Sequence, residues 1–380
     1  MSPLPANEFI LKIASRCNLN CDYCYEYNLG DDSWRRQPAF MSLDTAMKAV
    51  ERILEHIRAH AVTDTIVVSL HGGEPMLAGA AHVSAIAKLI RERLEPHAPV
   101  ELTMQSNATL VDPDMLTVLR DNRIAVGVSV DGPSHVNDLH RLDHANRSSF
   151  DATYSGIRDL RDAGVLSGIL SVIDVTSDPL EVFDFVATLE VPQVDFLLPH
   201  HNWLRLPRRP NGDLRAYGKW YAPIWEAWLG GRHSWMRIRY FEQIIRALVG
   251  AQGLFEGLGL AAVQLIVVAA DGSLEGVDTL KSCGDGQQKL HLSIIDAPID
   301  AVLEKNVYAI RQAGADQLCD QCLACPYREV CGGGYFPHRY RGGGLFNSPS
   351  VYCDDIQHII ARIRGDIATR SMKAELEVDS

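Results

Sequence analysis

The stretch "RCNLNCDYCY" holds Cys17, Cys21 and Cys24 in a C-x3-C-x2-C array directly after the apolar run "FILKIA". Thiolates bind zinc and iron–sulfur clusters, but structural zinc closes a tetrahedron with four protein ligands. Three thiols with no fourth nearby suit a cubane cluster that leaves one iron open to a substrate or cosubstrate. A zinc knuckle completed by a distant residue such as His71 is the competing reading. A second group stands near the C-terminus, in "CDQCLACPYREVCGGGYFPHRYRGGGLFNSPSVYCDD". Cys322, Cys325 and Cys331 are spaced C-x2-C-x5-C there, and a glycine-rich stretch can fold Cys353 back toward them. Four thiolates make a closed site, for which spacing alone allows zinc or a cluster. The chain's nine cysteines are mostly clustered, which points to metal ligation in a reducing compartment rather than to disulfides. Cys283 and Cys319 are left over, either to help hold a second, incompletely Cys-ligated cluster or as free or structural thiols.

Polar signals recur after other apolar runs. In "HGGEP", Gly72 and Gly73 let backbone approach a ligand closely, and Glu74 offers an acceptor for an ammonium. "QSN" ends at Asn107, and "SVDGP" runs from Ser129 through Asp131 to Pro133. Each alone reads as a turn. Together they describe one pocket for a polar, amino-acid-like ligand beside a cluster.

The elements that must position these groups alternate. Six runs rich in apolar or β-branched residues, "EFILKIA", "TIVVSLHG", "ELTMQSN", "AVGVSVDG", "LSGILSVID" and "QVDFLLPH", are separated by helical patterns. That alternation predicts an α/β fold, a partial (β/α)6 TIM-like barrel over residues 1–200. Loops after parallel barrel strands open at the face where chemistry occurs, which is where the first cysteines and the polar signals fall. The first helix starts after Ser42, a fitting N-cap, and sets Leu43, Ala46, Met47, Val50, Ile53, Leu54 and Ile57 on one face. Further helices are expected over 79–94, 112–122, 150–163 and 179–189. Residues 201–260 read as a helical bridging segment with Trp203, Trp220, Trp225, Trp228 and Trp235, which either line a substrate route or fill core. Residues 261–380 read as a small Cys-rich domain, with a hairpin turning at Asp271-Gly272 and a closing helix from about Asp354 to Ile367.

Of the 380 residues 47% are apolar and 22% charged, a globular composition. The net charge of -12 argues against nucleic acid as a partner. No apolar run reaches membrane-spanning length and "MSPLPANEF" lacks secretory-signal features, so a cytoplasmic location is the expectation. The basic stretch Arg205 to Arg215 reads as a solvated loop or as a dock for an acidic peptide.

The C-x3-C-x2-C array with Tyr23 inside it, followed by Gly72-Gly73-Glu74-Pro75, resembles the radical S-adenosylmethionine (SAM) superfamily over about residues 8–200. The resemblance implies a 4Fe-4S cluster on Cys17, Cys21 and Cys24 whose open iron is chelated by SAM, and one-electron cleavage of SAM to a hydrogen-abstracting 5′-deoxyadenosyl radical. It also implies that Tyr23 flanks the adenine, that Gly72, Gly73 and Glu74 meet the methionyl amine, and that Ser129 and Arg141 contact SAM's polar groups, with Asn107 and Asp131 as further contacts. The C-terminal cysteines resemble the SPASM extension, which implies at least one auxiliary 4Fe-4S cluster on Cys322, Cys325, Cys331 and Cys353. A full SPASM domain carries a second auxiliary cluster. Here Tyr335 stands where one of its cysteines is expected, and the hairpin at 264–277 lacks another.

The phrases "CGGGYFPHRYR", "FNSPSVYCDD" and "VDTLKSC" resemble FxsB-type peptide maturases. That implies modification of a ribosomally made precursor peptide, by joining an aromatic ring to a side-chain β-carbon into a cyclophane. Sulfatase-maturase-like formylglycine formation, or hydroxylation, is the alternative chemistry; an Fe-S electron carrier or a zinc-stabilised peptide-binding module is the non-enzymatic alternative. Such a reaction needs a proton acceptor, for which Asp285, Asp278 and Glu242 are candidates, whereas His338 and His200 read as hydrogen-bonding groups. The expected electron donor is a flavodoxin or ferredoxin. With the first strand starting within ten residues of the N-terminus, leader recognition is expected from the C-terminal half or a separate protein.

Overall fold

The computed structural model describes residues 3–251 and 256–378. Residues 252–255 of the expected bridging segment lie outside the described residues. Strands β1 (Glu8–Ala14), β2 (Ile66–Gly72), β3 (Val100–Ser106), β4 (Ile124–Ser129), β5 (Leu166–Val172) and β6 (Gln193–Leu197) pair in parallel, each with the next. They are the six sequence runs, and together they form the partial barrel.

The strands alternate in burial, which a parallel sheet covered on both faces would not require. In β2, Ile66, Val68 and Leu70 are buried while Val67, Ser69 and His71 are half-buried. β4 repeats the pattern. One face packs on helices, and small and polar residues of the other, among them Ser69, Thr103, Gln105 and Gly127, border a cavity.

The covering helices are α1 (Leu43–Ala59), α2 (Ala80–Leu94), α3 (Pro113–Asp121), α4 (Phe150–Asp162) and α5 (Pro179–Thr188), close to the expected spans. Ser42 caps α1 by accepting a hydrogen bond from the Thr45 amide at 3.0 Å. The buried face of α1 is shifted from the expected one: Leu43 and Met47 are exposed, and Ala49 and His56 are buried in their place. His56 is buried because a polar contact, taken up below, holds it, which apolar periodicity does not register.

The sheet does not end at residue 200. β7 (Arg237–Ile238) adds to β6, and β8 (Leu265–Val268) runs parallel to β1 on its other side. β9 (Ser273–Glu275) returns antiparallel through the Asp271-Gly272 turn, and β10 (Lys289–Ser293) follows it. The result is one ten-stranded sheet in the order β10-β9-β8-β1-β2-β3-β4-β5-β6-β7. Between its edges run α6 (Ala216–Leu229) and α7 (Arg239–Leu248), and the chain closes with α8 (Cys353–Val378). Trp220 and Trp225 are core, while Trp235 is exposed.

The basic stretch is not wholly solvated. Arg209 pairs with Asp355 of α8 at 2.6 Å, and the same carboxylate accepts hydrogen bonds from the Tyr217 and Gly218 amides at the start of α6. No helix among the described residues is long and apolar enough to cross a membrane.

Candidate active site at the strand ends

The cysteine loop leaves β1 and folds back over the end of β2, and two glycines make the approach possible. A Cβ on Gly72, whose φ is +135°, would lie 1.8 Å from the Ala14 carbonyl oxygen; one on Gly73 would lie 1.9 Å from Tyr27 Oη and 2.3 Å from the Arg16 carbonyl oxygen. The backbone they bring close is the chain's own. The Gly73 and Glu74 amides donate to the Ala14 and Arg16 carbonyls, both at 2.9 Å.

Glu74 ties this loop to the next. Its buried carboxylate accepts from the Asn107 amide at 2.7 Å, the Met76 amide at 3.0 Å and Ser106 Oγ at 2.9 Å. Burial pushes its pKa up, and these donors, the Asn107 amide first, work against that. Asn107 in turn reaches the cysteine loop, its Nδ2 lying 2.9 Å from Asn18 Oδ1 and 3.8 Å from Cys17 Sγ.

On the far side of the loop, Tyr23 Oη donates to Asp131 Oδ2 at 2.6 Å and accepts from Arg141 Nη1 at 2.9 Å. Arg141 is buried and its Nε has no partner. Beside Tyr23, His140 bridges Asp22 and Asp174, with Nδ1 2.9 Å from Asp22 Oδ1 and Nε2 3.0 Å from Asp174 Oδ2. The Asp174 contact raises the His140 pKa to about 9; burial opposes it and Asp22 adds to it. Ser129 Oγ accepts from Gln105 Nε2 at 2.9 Å.

The three thiols fit a metal cluster by their chemistry. Burial pushes Cys17 up to about 12 and raises Cys21 and Cys24 as well, and thiolates at neighbouring members of the set oppose ionisation of Cys17 and Cys24. Three such thiolates, Cys21 buried and Cys17 and Cys24 half-buried, therefore need a positive partner, which iron supplies. The Leu19 amide already points at Cys17 Sγ, 3.4 Å away.

Behind the loop lies a buried ionic cluster that the sequence reading missed. Lys12 of β1 contacts Glu26 and lies 3.1 Å from Glu275 and 3.7 Å from Asp278; Lys281 lies 2.5 Å from Glu26 and 3.8 Å from Glu275. All five side chains are at most 7% exposed. A lysine inside the apolar run "FILKIA" was the available signal, since a buried ammonium requires acidic partners. Burial alone would raise the Asp278 pKa, but Lys12, then His71 and Lys281, outweigh it and hold the carboxyl at about 2. Tyr25 Oη donates to Asp278 at 2.9 Å.

Asp278 and Tyr25 also line a cavity of about 700 Å³, with Phe196, Tyr335, His200 and His338 among its other walls. Neither ring nitrogen of His338 has a partner, nor does His200 Nδ1. Burial pushes His200 down to about 4 and lowers His338 as well, so both rings are neutral near pH 7. Of the three proton-acceptor candidates, Asp278 reaches this cavity. Asp285 is exposed and accepts from the Asp32 amide, and Glu242 is held by Arg237 at 2.7 Å on the sheet's outer edge. Asp285 lies two residues from Cys283 in sequence, and a change of direction at Gly284 (φ +120°) separates them.

In the C-terminal region Cys322, Cys325, Cys331 and Cys353 line one small cavity. They come from two one-turn helices (Asp320–Leu323 and Arg328–Cys331), the loop between them and the first residue of α8. Burial raises Cys322 and Cys331 to about 12, so this converging donor set also suits a cationic cluster. The two leftover thiols have different surroundings. Cys319 neighbours Cys322. Cys283 is packed in an apolar group with Val277, Leu280, Phe336 and Tyr340, its Sγ 3.7 Å from the Pro337 carbonyl oxygen. Tyr335 hydrogen-bonds Thr279 at 2.6 Å.

Residues 11–186 match the Radical SAM superfamily. The barrel is a radical SAM domain. A cysteine-type anaerobic sulfatase-maturating enzyme of Clostridium perfringens (strain 13 / Type A) is 23% identical over 342 residues, covering 87% of this chain and 88% of that one. The structure of native anSMEcpe with bound AdoMet and Cp18Cys peptide superposes with a TM-score of 0.77 at 20% identity, over 97% of this chain and 99% of that one. Streptococcus suis SuiB bound to precursor peptide SuiA gives a TM-score of 0.63 at 15% identity, over 92% and 76%. At these identities the solved structures establish the shared fold: a partial barrel of parallel strands followed by a Cys-containing C-terminal region.

Proposed function

We propose that this radical SAM enzyme oxidises a side chain of a ribosomally made peptide, beginning at a β-carbon held in the strand-end cavity. The observation that carries this is the cavity itself, which opens between the cysteine loop's Tyr25, the ionic cluster's Asp278 and the unpartnered rings of His200 and His338. The likeness to a sulfatase-maturating enzyme over most of the chain favours two-electron oxidation of a cysteine or serine to formylglycine. A second reading, cross-linking of a β-carbon to an aromatic side chain, is supported by size, because a cysteine or serine side chain fills little of about 700 Å³.

The residues divide the work. Cys17, Cys21 and Cys24 would hold the cluster, and Glu74 and Asn107 fix the loop that carries them. The unpartnered Arg141 Nε is a free donor for SAM's carboxylate, and Tyr23 is held in place by Asp131. Bound there, the cluster and SAM would supply the radical chemistry that removes one hydrogen atom. Asp278, ionised and lining the cavity, takes the proton that leaves once the substrate has also lost an electron; so acidic a group accepts only from a strongly acidic donor, which a one-electron-oxidised carbon centre bearing S–H or O–H is. Cys322, Cys325, Cys331 and Cys353 would hold an auxiliary cluster, which would accept that electron. An outside flavodoxin or ferredoxin supplies the reducing electron in the cytoplasm, and leader recognition falls to the C-terminal half or a separate protein.

The test is anaerobic turnover of the reconstituted enzyme with SAM, a reductant and peptides encoded beside it, read by mass spectrometry. Formylglycine appears as loss of sulfur from a cysteine, or as a hydrazine-reactive aldehyde from a serine; a cross-link appears as loss of two hydrogens without an aldehyde. Asp278→Asn should keep 5′-deoxyadenosine formation while peptide product falls at least about tenfold. Absence of 5′-deoxyadenosine from the wild type overturns the proposal.

A further inference from the structure

At the other end of β1 from the cysteine loop, His56 in the last turn of α1 and His60, which caps the helix, face the turn Ile299–Val302. The His56 ring is 1% exposed. Its Nε2 lies 3.0 Å from the Ala6 carbonyl oxygen, and its Nδ1 contacts Asp300 Oδ1. Both neighbours are acceptors, whereas a neutral imidazole has one N–H to give. With Nε2–H committed to Ala6, Nδ1 must carry either a second proton or a cation. The other oxygen of Asp300 is 3.1 Å from His60 Nε2, so a single carboxylate serves both rings. Protonating His56 would bury a charged ring whose one counter-charge is a carboxylate that also serves the second ring, a costly arrangement.

A metal ion resolves the conflict, because it uses both imidazole lone pairs and needs no proton. The ligand atoms of His56, His60 and Asp300 lie within 4.8 Å of one another. A backbone carbonyl behind a ligating histidine, as Ala6 stands behind His56, is the usual outer partner that fixes the ring's tautomer. Two imidazoles and a carboxylate suit zinc, with a fourth position left for water. His60 and Asp300 keep side-chain exposures of 31% and 34%, so an ion reaches the site from solvent.

We propose that His56, His60 and Asp300 form a zinc-binding site that fastens the Ile299–Val302 turn of the C-terminal region to the barrel's first helix. The site is separate from the reaction proposed above and stands or falls without it.

The experiment uses iron-loaded holoenzyme passed over a chelating resin, titrated anaerobically with zinc chloride by calorimetry, beside His60→Ala and Asp300→Asn. Zinc taken up by cysteines is common to all three proteins and cancels. The wild type should bind one equivalent more than either variant, or bind it at least about 100-fold more tightly, beyond what loss of an outer partner alone would cost. Zinc should raise the thermal midpoint of the wild type and not that of His60→Ala. Since His60 is partly exposed, its replacement leaves no core cavity, and Asp300→Asn keeps the side-chain shape. Equal zinc uptake by wild type and both variants, or none by the wild type, would overturn the site and leave a protonated His56–Asp300 ion pair.

Discussion

The two thiol sites are built in opposite ways. The cysteine loop after β1 rests on a ten-stranded sheet and is tied to its neighbours through Glu74, Asn107, Tyr23 and Glu26. The C-terminal thiols sit on two four-residue helices, a loop and the start of α8, among consecutive glycines at positive φ, Gly332, Gly333 and Gly334. The first site is shaped by the fold and would receive its cluster; the second has little regular structure to shape it and would owe part of its form to the metal. A fold-shaped site serves where a reacting group must be aimed, and a metal-shaped one suffices where four ligands close around an ion.

Breaking the first site should cost chemistry and spare the fold. Replacing Cys17, Cys21 and Cys24 together with alanine should abolish 5′-deoxyadenosine formation, with the circular dichroism spectrum retained and about four irons lost per chain. Collapse of the spectrum would erase the contrast. Breaking the second should do the reverse: Cys322, Cys325 and Cys331 to serine should leave SAM cleavage measurable and open residues 315–350 to limited proteolysis. A digestion pattern matching wild type would show that the region holds itself together without metal.

The ties of the first site can be sharpened one at a time. Glu74→Gln turns an amide NH2 toward donors the carboxylate now accepts from. The buried donor left unmet should cost about 1–3 kcal/mol, seen as a lower thermal midpoint and faster iron loss from the Cys17 site, with the C-terminal cluster unchanged. The smallest effect concerns His140. Its folded pKa, about 9, lies above the usual value near 6.5. Its contacts with Asp174 and Asp22 therefore contribute stability in full below about pH 6.5, and that contribution is lost as pH rises through about 9. Thermal midpoints from pH 6 to 10 should fall less steeply for His140→Gln; identical slopes would dismiss the contribution.

Much of this was legible in the sequence because it depends on spacing. The C-x3-C-x2-C array, the six strand runs and the C-terminal cysteines are local patterns; the first array lies in the loop after β1, and Cys322, Cys325, Cys331 and Cys353 line one small cavity. Gly72 and Gly73 were readable as sites of close approach, although what approaches them is the chain's own backbone. What stayed hidden was pairing at long range. Lys12 finds Glu275 across more than two hundred residues of chain, and β8 finds β1 over a similar span. Neither partner is announced by periodicity, because a strand edge specifies only that some strand will pair with it. Asp285 and Glu242 looked as suitable as Asp278 for the same reason: an acid's role depends on which wall it reaches.

The place of β1 in the sheet has a consequence for how the molecule breathes. With β2 on one side and β8 on the other, the strand that delivers Cys17 has no free edge at its centre. Its amides should be among the slowest in the molecule to exchange with solvent, while one-turn helices at the C-terminal thiols open and close many times. A chain ending before β8 would bare the edge of β1 and offer it as a template for other chains to add to. The region that follows the barrel thus covers, through β8, the edge of the strand on which the cysteine loop depends.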